Sequence, residues 1–456
     1  MPRLRIVSRE LSLPHPAAEV FAWHLRPGAF ARMQPPWLPV SVLAQRGGVE
    51  DGGEVELSVP ILGPLRKRWL ARHEGFVPGR EFRDRQISGP FSEWLHIHRV
   101  RPQGSGCVLE DQIEYALPGG ALGRFLGQAA VERQLARVWA LRHRRLRQDL
   151  DRHATVRGRG PLRVAISGAS GLIGSALAAF LTSGGHRVQR LVRGAAVGDD
   201  IAWDPGRALD SAALEGCDAV VHLAGRSVAT RWSEAAKADI RRSRVDSTSH
   251  LATALAALRT PPRVLICASA IGIYGDRGDQ PVKEDSALGS GFLADICRAW
   301  EAACEPARQA GIRVVNPRLG VVVAGNGGAL AKMLMPARLG LTGPIGGGRQ
   351  WMSWIGIEDV VGALHHLLFA DDLAGPVDLV APEPVTNAAF MRTLGRVLRR
   401  PAALPMPRAA IELLFGDMGR ETVLASTRVL PGKLLARGFP FLQPDLATAL
   451  RCELGC

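Results

Sequence analysis

The stretch LRVAISGASGLIGSALAAFLTS, residues 162–183, decides how this chain is read. Its first six residues are an apolar run of the length and composition of a fully buried strand. Gly168, Gly171 and Gly174 follow at once, and from Leu172 to about Ser183 the apolar spacing is helical. A second strand pattern, His186 to Val192, comes next, so the segment is a β-α-β unit. Glycines in such a turn permit a tight reversal, close approach of the backbone to a pyrophosphate, and close packing of helix on strand. The helix start then presents free N–H groups and the positive end of its dipole. Dinucleotide binding is the expected use of this turn.

Working outward, strand patterns at 218–223, 263–268 and 312–316 alternate with helical ones around 233–258 and 290–310. Alternation of this kind predicts a parallel, doubly wound sheet. The expected organisation is an N-terminal domain over 1–150, a polar Gly/Pro-bearing linker over 151–161, a Rossmann domain with a substrate-loop region over 162–383, and a small helical C-terminal domain over 384–456.

Residues 1–150 have a different pattern. RIVSRELSL (5–13) alternates as a strand does, Pro16 to about Ala31 is helical in spacing, and strands are expected at 54–59, 68–76, 81–87, 93–100 and 107–116. A long amphipathic helix closes the unit, with Leu122, Phe125, Leu126, Ala129, Leu135, Val138, Trp139 and Leu146 on one stripe. The layout is α+β, a curved sheet wrapping a helix.

The composition excludes several classes. The chain has 456 residues and a net charge of +14; 46% of residues are hydrophobic and 22% charged, which is a globular composition. No run of ~18 uncharged apolar residues suggests a membrane span. The first residues lack the apolar core of a secretory signal, so the cytoplasm is the expected location. Seven cysteines are scattered without a Cys-x-x-Cys pair, which fits free thiols in a reducing compartment and no metal site. The run Arg142–Arg147 reads as a solvated helix face, because no nucleic-acid motif accompanies it.

The second strand of the β-α-β unit selects the cofactor. Forms that bind NAD place an acidic residue near its end for the ribose hydroxyls. Here the strand ends on Arg193, and a guanidinium suits a 2′-phosphate, so NADP is expected. Asp199 and Asp200, a little later, are the residues that stand against this.

Residues 160–450 resemble the extended short-chain dehydrogenase/reductase superfamily, and more narrowly its atypical NAD-dependent epimerase branch. The resemblance rests on SGASGLIG (167–174), VVHLAG (220–225), RWS (231–233), SRV (243–245), SAIGIYG (269–275), GGALAKM (327–333), GPIGGGRQ (343–350) and WIGIEDV (354–360). The segment from about 401 resembles the small domain of unknown function that ends those proteins. Residues 1–150 resemble the START-like helix-grip group, SRPBCC, through GPFSEWLHIH (89–98) and DQIEYALP (111–118). That group encloses apolar ligands between sheet and closing helix, so an apolar ligand is implied there. In the other half the resemblance implies that Gly168, Ser170, Gly171, Leu172, Ile173, Gly174 and Arg193 hold the cofactor. Leu223, Ala224 and Gly225 would flank its ribose and nicotinamide side, and Ser269 would polarise a substrate oxygen.

Superfamily chemistry uses a tyrosine with a lysine four residues on, which lowers the phenol pKa toward working pH. The chain has two tyrosines, Tyr115 and Tyr274, and five lysines, Lys67, Lys237, Lys283, Lys332 and Lys433. Position 278 is glycine, and the following helix carries Phe292 and Ile296 where the resemblance places the pair. Three functions follow. One is an NADP-dependent oxidoreductase or epimerase on an unknown small molecule, using other groups such as Ser269, Tyr274, Asp295 or Cys297. The second is an NADP-binding sensor or scaffold without turnover. The third is an apolar-ligand carrier or cyclase acting through the N-terminal cavity.

Further residues are open at this stage. Trp351 and Trp354 suit a substrate cleft or simple packing, Arg318 an anionic substrate or a structural pair, and His222 a structural hydrogen bond. Glu358 and Asp359 are expected to cap a helix from Val360. His96 and His98 share one face of a strand, pointing inward or outward, with no third metal ligand evident.

Overall fold

In the computed structural model, which describes residues 4–63 and 65–456, the chain forms two compact units. One runs to Arg159 and the other begins at Gly160, with small exchanges around 182–185 and at 455. Among the described residues no helix is long and apolar enough to cross a membrane.

The first unit is a seven-stranded antiparallel sheet. Arg5–Leu13 pairs with Gly106–Ala116, and Glu93–Gln103, Glu81–Ser88, Leu65–Val77, Glu54–Leu62 and Ser41–Arg46 follow in that order to the far edge. The edge strand Ser41–Arg46 was not expected, because all six of its residues are exposed and no alternation marks it. The expected helix from Pro16 is two helices, Ala17–Leu25 and Ala29–Met33. Arg26 between them is extended, at φ −78° and ψ 148°, since the ring of Pro27 disfavours helical backbone in the residue before it.

The closing helix, Gly120–Ala154, lays Val131, Leu135, Trp139, Leu146 and Leu150 into the cores with Trp94, Ile113, Tyr115 and Trp23. The stripe expected from its start does not reach that core: Leu122, Phe125 and Leu126 are exposed. The arginine run is not a wholly solvated face either. Arg145 is buried and donates to the carbonyls of Arg32 and Gln34, and Arg142 donates to that of Met33. Charge on a helix marks its outer face only where no backbone carbonyls await it inside, and here the carbonyls at the end of Ala29–Met33 do.

The second unit carries an eight-stranded parallel sheet: Ile201–Ala202, Arg187–Val192, Arg163–Ser167, Ala219–His222, Val264–Cys267 and Arg313–Leu319 follow in that order, and Ser269–Ala270 and Gly375–Leu379 both pair with Arg313–Leu319. The chain winds outward in both directions from Arg163–Ser167, so a topological switch point opens between that strand and Ala219–His222. Helix Glu234–Ala256, started by Ser233 accepting from the Ala236 N–H, buries Leu251 and Leu255 against Val220 and Leu265. The expected helix over 290–310 is broken into Phe292–Ala302 and Glu305–Gln309.

The C-terminal residues do not form a compact unit of their own. Phe390, Leu394, Leu446 and Leu450 share one core with Val323, Leu330 and Trp354. Asp359 lies inside helix Ile357–Phe369, and instead of capping a helix start it accepts the N–H groups of Leu442 and Gln443, both at 2.8 Å.

Candidate functional site: a dinucleotide cradle and an open cleft

The turn after Arg163–Ser167 is shaped by two glycines. Gly168 has φ +70°, and a Cβ there would lie 2.8 Å from the carbonyl carbon of Leu223. A Cβ on Gly174 would meet the Gly168 oxygen at 2.2 Å. Ser170 and Gly171 are exposed at the helix start, with Leu172 and Ile173 half-buried behind them. Beneath the turn Ser167 accepts the N–H groups of Leu223 and Ala224 at 3.2 and 3.3 Å and shares a 2.6 Å bond with His222 Nδ1. His222 Nε2 meets the Ser247 hydroxyl at 3.3 Å. Burial pushes the His222 pKa down to about 4, so the ring is neutral and takes its Nδ1 bond as acceptor from Ser167. Its part is to fix Leu223, Ala224 and Gly225 beside the glycine turn. The residues present fit a bound dinucleotide: the backbone is held close, side chains are excluded at Gly168 and Gly174, and the helix start faces outward.

At the end of the second strand Arg193 is exposed. The two aspartates that stood against NADP are engaged elsewhere. Asp199 receives both Arg187 nitrogens at 3.0 and 2.7 Å, and Asp200 both Arg190 nitrogens at 2.8 and 2.6 Å. Bidentate pairing of this kind leaves their carboxylates poorly placed to accept ribose hydroxyls.

Ser269 and Tyr274 are placed differently from the expectation. Ser269 is buried and its hydroxyl donates to Glu301 Oε1 at 2.7 Å. Glu301 is held bidentately by Arg318, at 2.8 and 3.0 Å. Arg318 Nη1 donates to the Tyr274 hydroxyl at 2.9 Å, and that hydroxyl donates to Asp378 at 2.8 Å. Burial, then Asp378, raises the Tyr274 phenol above its ordinary value, the reverse of what a general base requires. The same burial, reinforced by Glu284, pushes Asp378 up to about 8. Both candidates thus belong to a buried chain that ties four segments together, and Arg318 is its hub rather than an anion-binding group. Cys297 is buried as well, and burial pushes its thiol up to about 11. Asp295 pairs with Arg298 on the surface of the same helix. Trp354 is fully buried, with its Nε1 donating to Glu383 O at 3.0 Å, whereas Trp351 lies under Arg428 and donates to Asp279.

Helix Phe292–Ala302 places Phe292 against Trp232, ring centroids 4.7 Å apart, and buries Ile296 with Ile240 and Met418. Glu421 caps its start, accepting the N–H groups of Phe292 and Leu293 at 3.2 and 3.0 Å. Beside this helix start lies an open cleft of about 540 Å³, lined among others by Gly275, Arg277, Gly291, Arg408, Arg420 and Glu421. Arg408 and Arg420 are paired with Glu412 and Asp417. The guanidinium of Arg277 donates to the carbonyls of Tyr274 and Ala287, neutral partners that leave its charge uncompensated. Sequence reasoning missed Arg277 and Glu421, since neither stands in a motif. They meet only because the C-terminal segment returns to the helix start.

A nucleotide cradle at the switch point of a parallel sheet, in one unit with a C-terminal segment that walls a cleft at the start of helix Phe292–Ala302, defines an extended dehydrogenase-type class of protein. Comparison with known proteins places the chain within it. The model of the NAD dependent epimerase/dehydratase family matches residues 164–379, that of a domain of unknown function (DUF1731) matches 406–452, and that of polyketide cyclase/dehydrase and lipid transport matches 13–138. Epimerase family protein Mb2239 of Mycobacterium bovis is 43% identical over 290 residues, 63% of this chain and 96% of that one. A crystal structure described as the nucleoside-diphosphate sugar epimerase from Corynebacterium glutamicum is similar over 98% of this chain and 90% of its own, at 33% identity and a TM-score of 0.82. The human epimerase family protein SDR39U1, solved with NADPH, aligns with 64% of this chain and 99% of its own, at 35% identity and a TM-score of 0.60. The chain belongs to the epimerase family, with an SRPBCC-type N-terminal domain.

Proposed function

We propose that this protein binds NADP(H) at the glycine turn and exchanges hydride with a small anionic molecule held in the 540 Å³ cleft, as an oxidoreductase or epimerase without a Tyr–Lys pair. The observation that carries the reading is the division of charge at the second strand: Asp199 and Asp200 are spent on Arg187 and Arg190, while Arg193 is exposed for a 2′-phosphate. The relative solved with NADPH supports the same cofactor. Bound there, the cofactor would supply the hydride, and this chain would supply orientation. Gly168, Ser170, Gly171, Leu172, Ile173 and Gly174 would hold the pyrophosphate, Leu223, Ala224 and Gly225 the nicotinamide side, and Arg277 the substrate anion. A second reading, NADP(H) binding without turnover, is favoured by the enclosure of Tyr274 and by Phe292 and Ile296 on the adjacent helix.

The test has two parts. Fluorescence titration should give tighter binding of NADPH than of NADH. NADPH deuterated at C4 should then pass its label to a member of a panel of phosphorylated keto sugars, keto nucleotide sugars and keto acids, or the protein loaded with NADP+ should epimerise a nucleotide sugar. Binding with neither label transfer nor epimerisation would establish the second reading, and preference for NADH would remove the first.

A further inference from the structure

The first unit holds a cluster that the cofactor half does not use. On one face of strand Glu93–Gln103, His96 and His98 stand side by side, ring centroids 3.9 Å apart. Sheet register sets a carboxylate against each: Asp84 is directly opposite His96 on one neighbouring strand, and Asp111 is opposite His98 on the other. One ligand atom each from Asp84, His96 and His98 lies within 4.8 Å of the other two. Asp84 Oδ2 is 3.3 Å from His96 Nδ1, and Asp111 Oδ1 stands on the opposite side of that ring, 3.7 Å from His96 Nε2 and 2.5 Å from His98 Nδ1.

Two features separate this arrangement from an ordinary buried ion pair. The first is that one carboxylate and two imidazoles converge where the His96 and His98 side chains are only 6% and 15% exposed. The second feature is outer support. His143, from the closing helix, bonds Asp111 Oδ2 at 2.9 Å, and Phe82 stacks on His98 at 4.4 Å. Metal sites commonly carry such orienting partners behind their ligands.

We infer that Asp84, His96 and His98 form a binding site for a divalent transition-metal ion of the zinc class within the N-terminal domain, with Asp111 orienting both imidazoles from behind. Two imidazoles with one carboxylate suit zinc, cobalt or iron and disfavour the all-oxygen preference of calcium and magnesium. Binding displaces a proton. Without the ion, burial opposes charge on His96, but Asp111 and Asp84 outweigh it and hold the ring protonated up to about pH 9. Burial, and then His96, keeps His98 neutral down to about pH 4.

The experiment loads the full-length protein with cobalt(II) after chelator treatment. One equivalent per chain should bind, with visible d–d absorption typical of nitrogen and oxygen ligation. The absorption should be lost in His98→Gln and in Asp84→Asn. X-ray absorption on the unaltered cobalt protein gives a reading independent of variant folding: two imidazoles with light oxygen scatterers and no sulfur. Substoichiometric binding overturns the site. So does binding that survives both substitutions, a sulfur shell from the free cysteines, or a shell of three imidazoles.

Discussion

The Tyr274 hydroxyl donates to Asp378 at 2.8 Å and accepts from Arg318 at 2.9 Å, joining a short turn after one sheet strand to the edge strand 104 residues later. In this protein the tyrosine of the IYG motif is a fastening. Tyr274→Phe should therefore lower stability by about 1–3 kcal/mol, since it leaves buried donor and acceptor groups unpaired. NADPH affinity should stay within about twofold. Urea unfolding and fluorescence titration of the same preparation check this. A variant of unchanged stability that has lost hydride transfer would return Tyr274 to the chemistry.

Gly174 leaves no room for a side chain, because a Cβ would sit 2.2 Å from the Gly168 oxygen. Gly174→Ala must move the turn away from the helix. The expected result is a loss of about 1–3 kcal/mol of stability together with weaker NADPH binding. Ala176→Gly, on the same helix, should weaken the fold by only ~1 kcal/mol and spare the binding. Equal effects of the two on NADPH would mean that the turn is not the cofactor contact.

Arg193 is the exposed guanidinium at the end of the second strand, and Arg193→Glu tests its partner directly. Loss of a charge-assisted contact to phosphate is worth ~1.5–3 kcal/mol, or roughly ten- to a hundredfold in NADPH affinity. NADH, without the 2′-phosphate, should be unaffected or bind more tightly. Calorimetric titration with both cofactors distinguishes this from general damage, which would weaken both alike.

The buried carboxyl of Asp378 sets a pH dependence. Burial and then Glu284 raise its pKa to about 8, so between its unfolded value and pH 8 the folded protein holds a proton that the unfolded chain releases. Its contribution is complete below about pH 4 and is lost as pH rises through 8. His222 acts in the opposite sense. Burial lowers it to about 4, so its contribution is complete above about pH 6.5 and is lost as pH falls toward 4. Between pH 6.5 and 8 only the Asp378 effect remains, and the second unit should lose on the order of 2 kcal/mol across that range. Urea midpoints for the native protein and Asp378→Asn check it: the substitution should flatten the slope. A slope that persists in the variant would assign it to other groups.

What was legible in the sequence was local. The strand, glycine turn and helix of 162–183 are adjacent in the chain, and each announces itself by period or by residue type. Asp84 and Asp111 were not legible as partners of His96 and His98, because sheet register places them and a one-residue slip would have sent them to the other face. Glu301, Arg318, Tyr274 and Asp378 come from separate segments, and no spacing rule connects them. The apolar start of the closing helix shows the converse limit: Leu122, Phe125 and Leu126 have core periodicity but emerge in solvent.

The cap that Glu421 places on the Phe292 and Leu293 amides bears on the order of synthesis. The glycine turn and its strand leave the ribosome some 250 residues before this carboxylate does. Asp359 likewise waits for Leu442 and Gln443. The residues of the glycine turn can thus be in place early in synthesis, whereas the cleft wall at Phe292 and Leu293 is complete only once the last segment has been made.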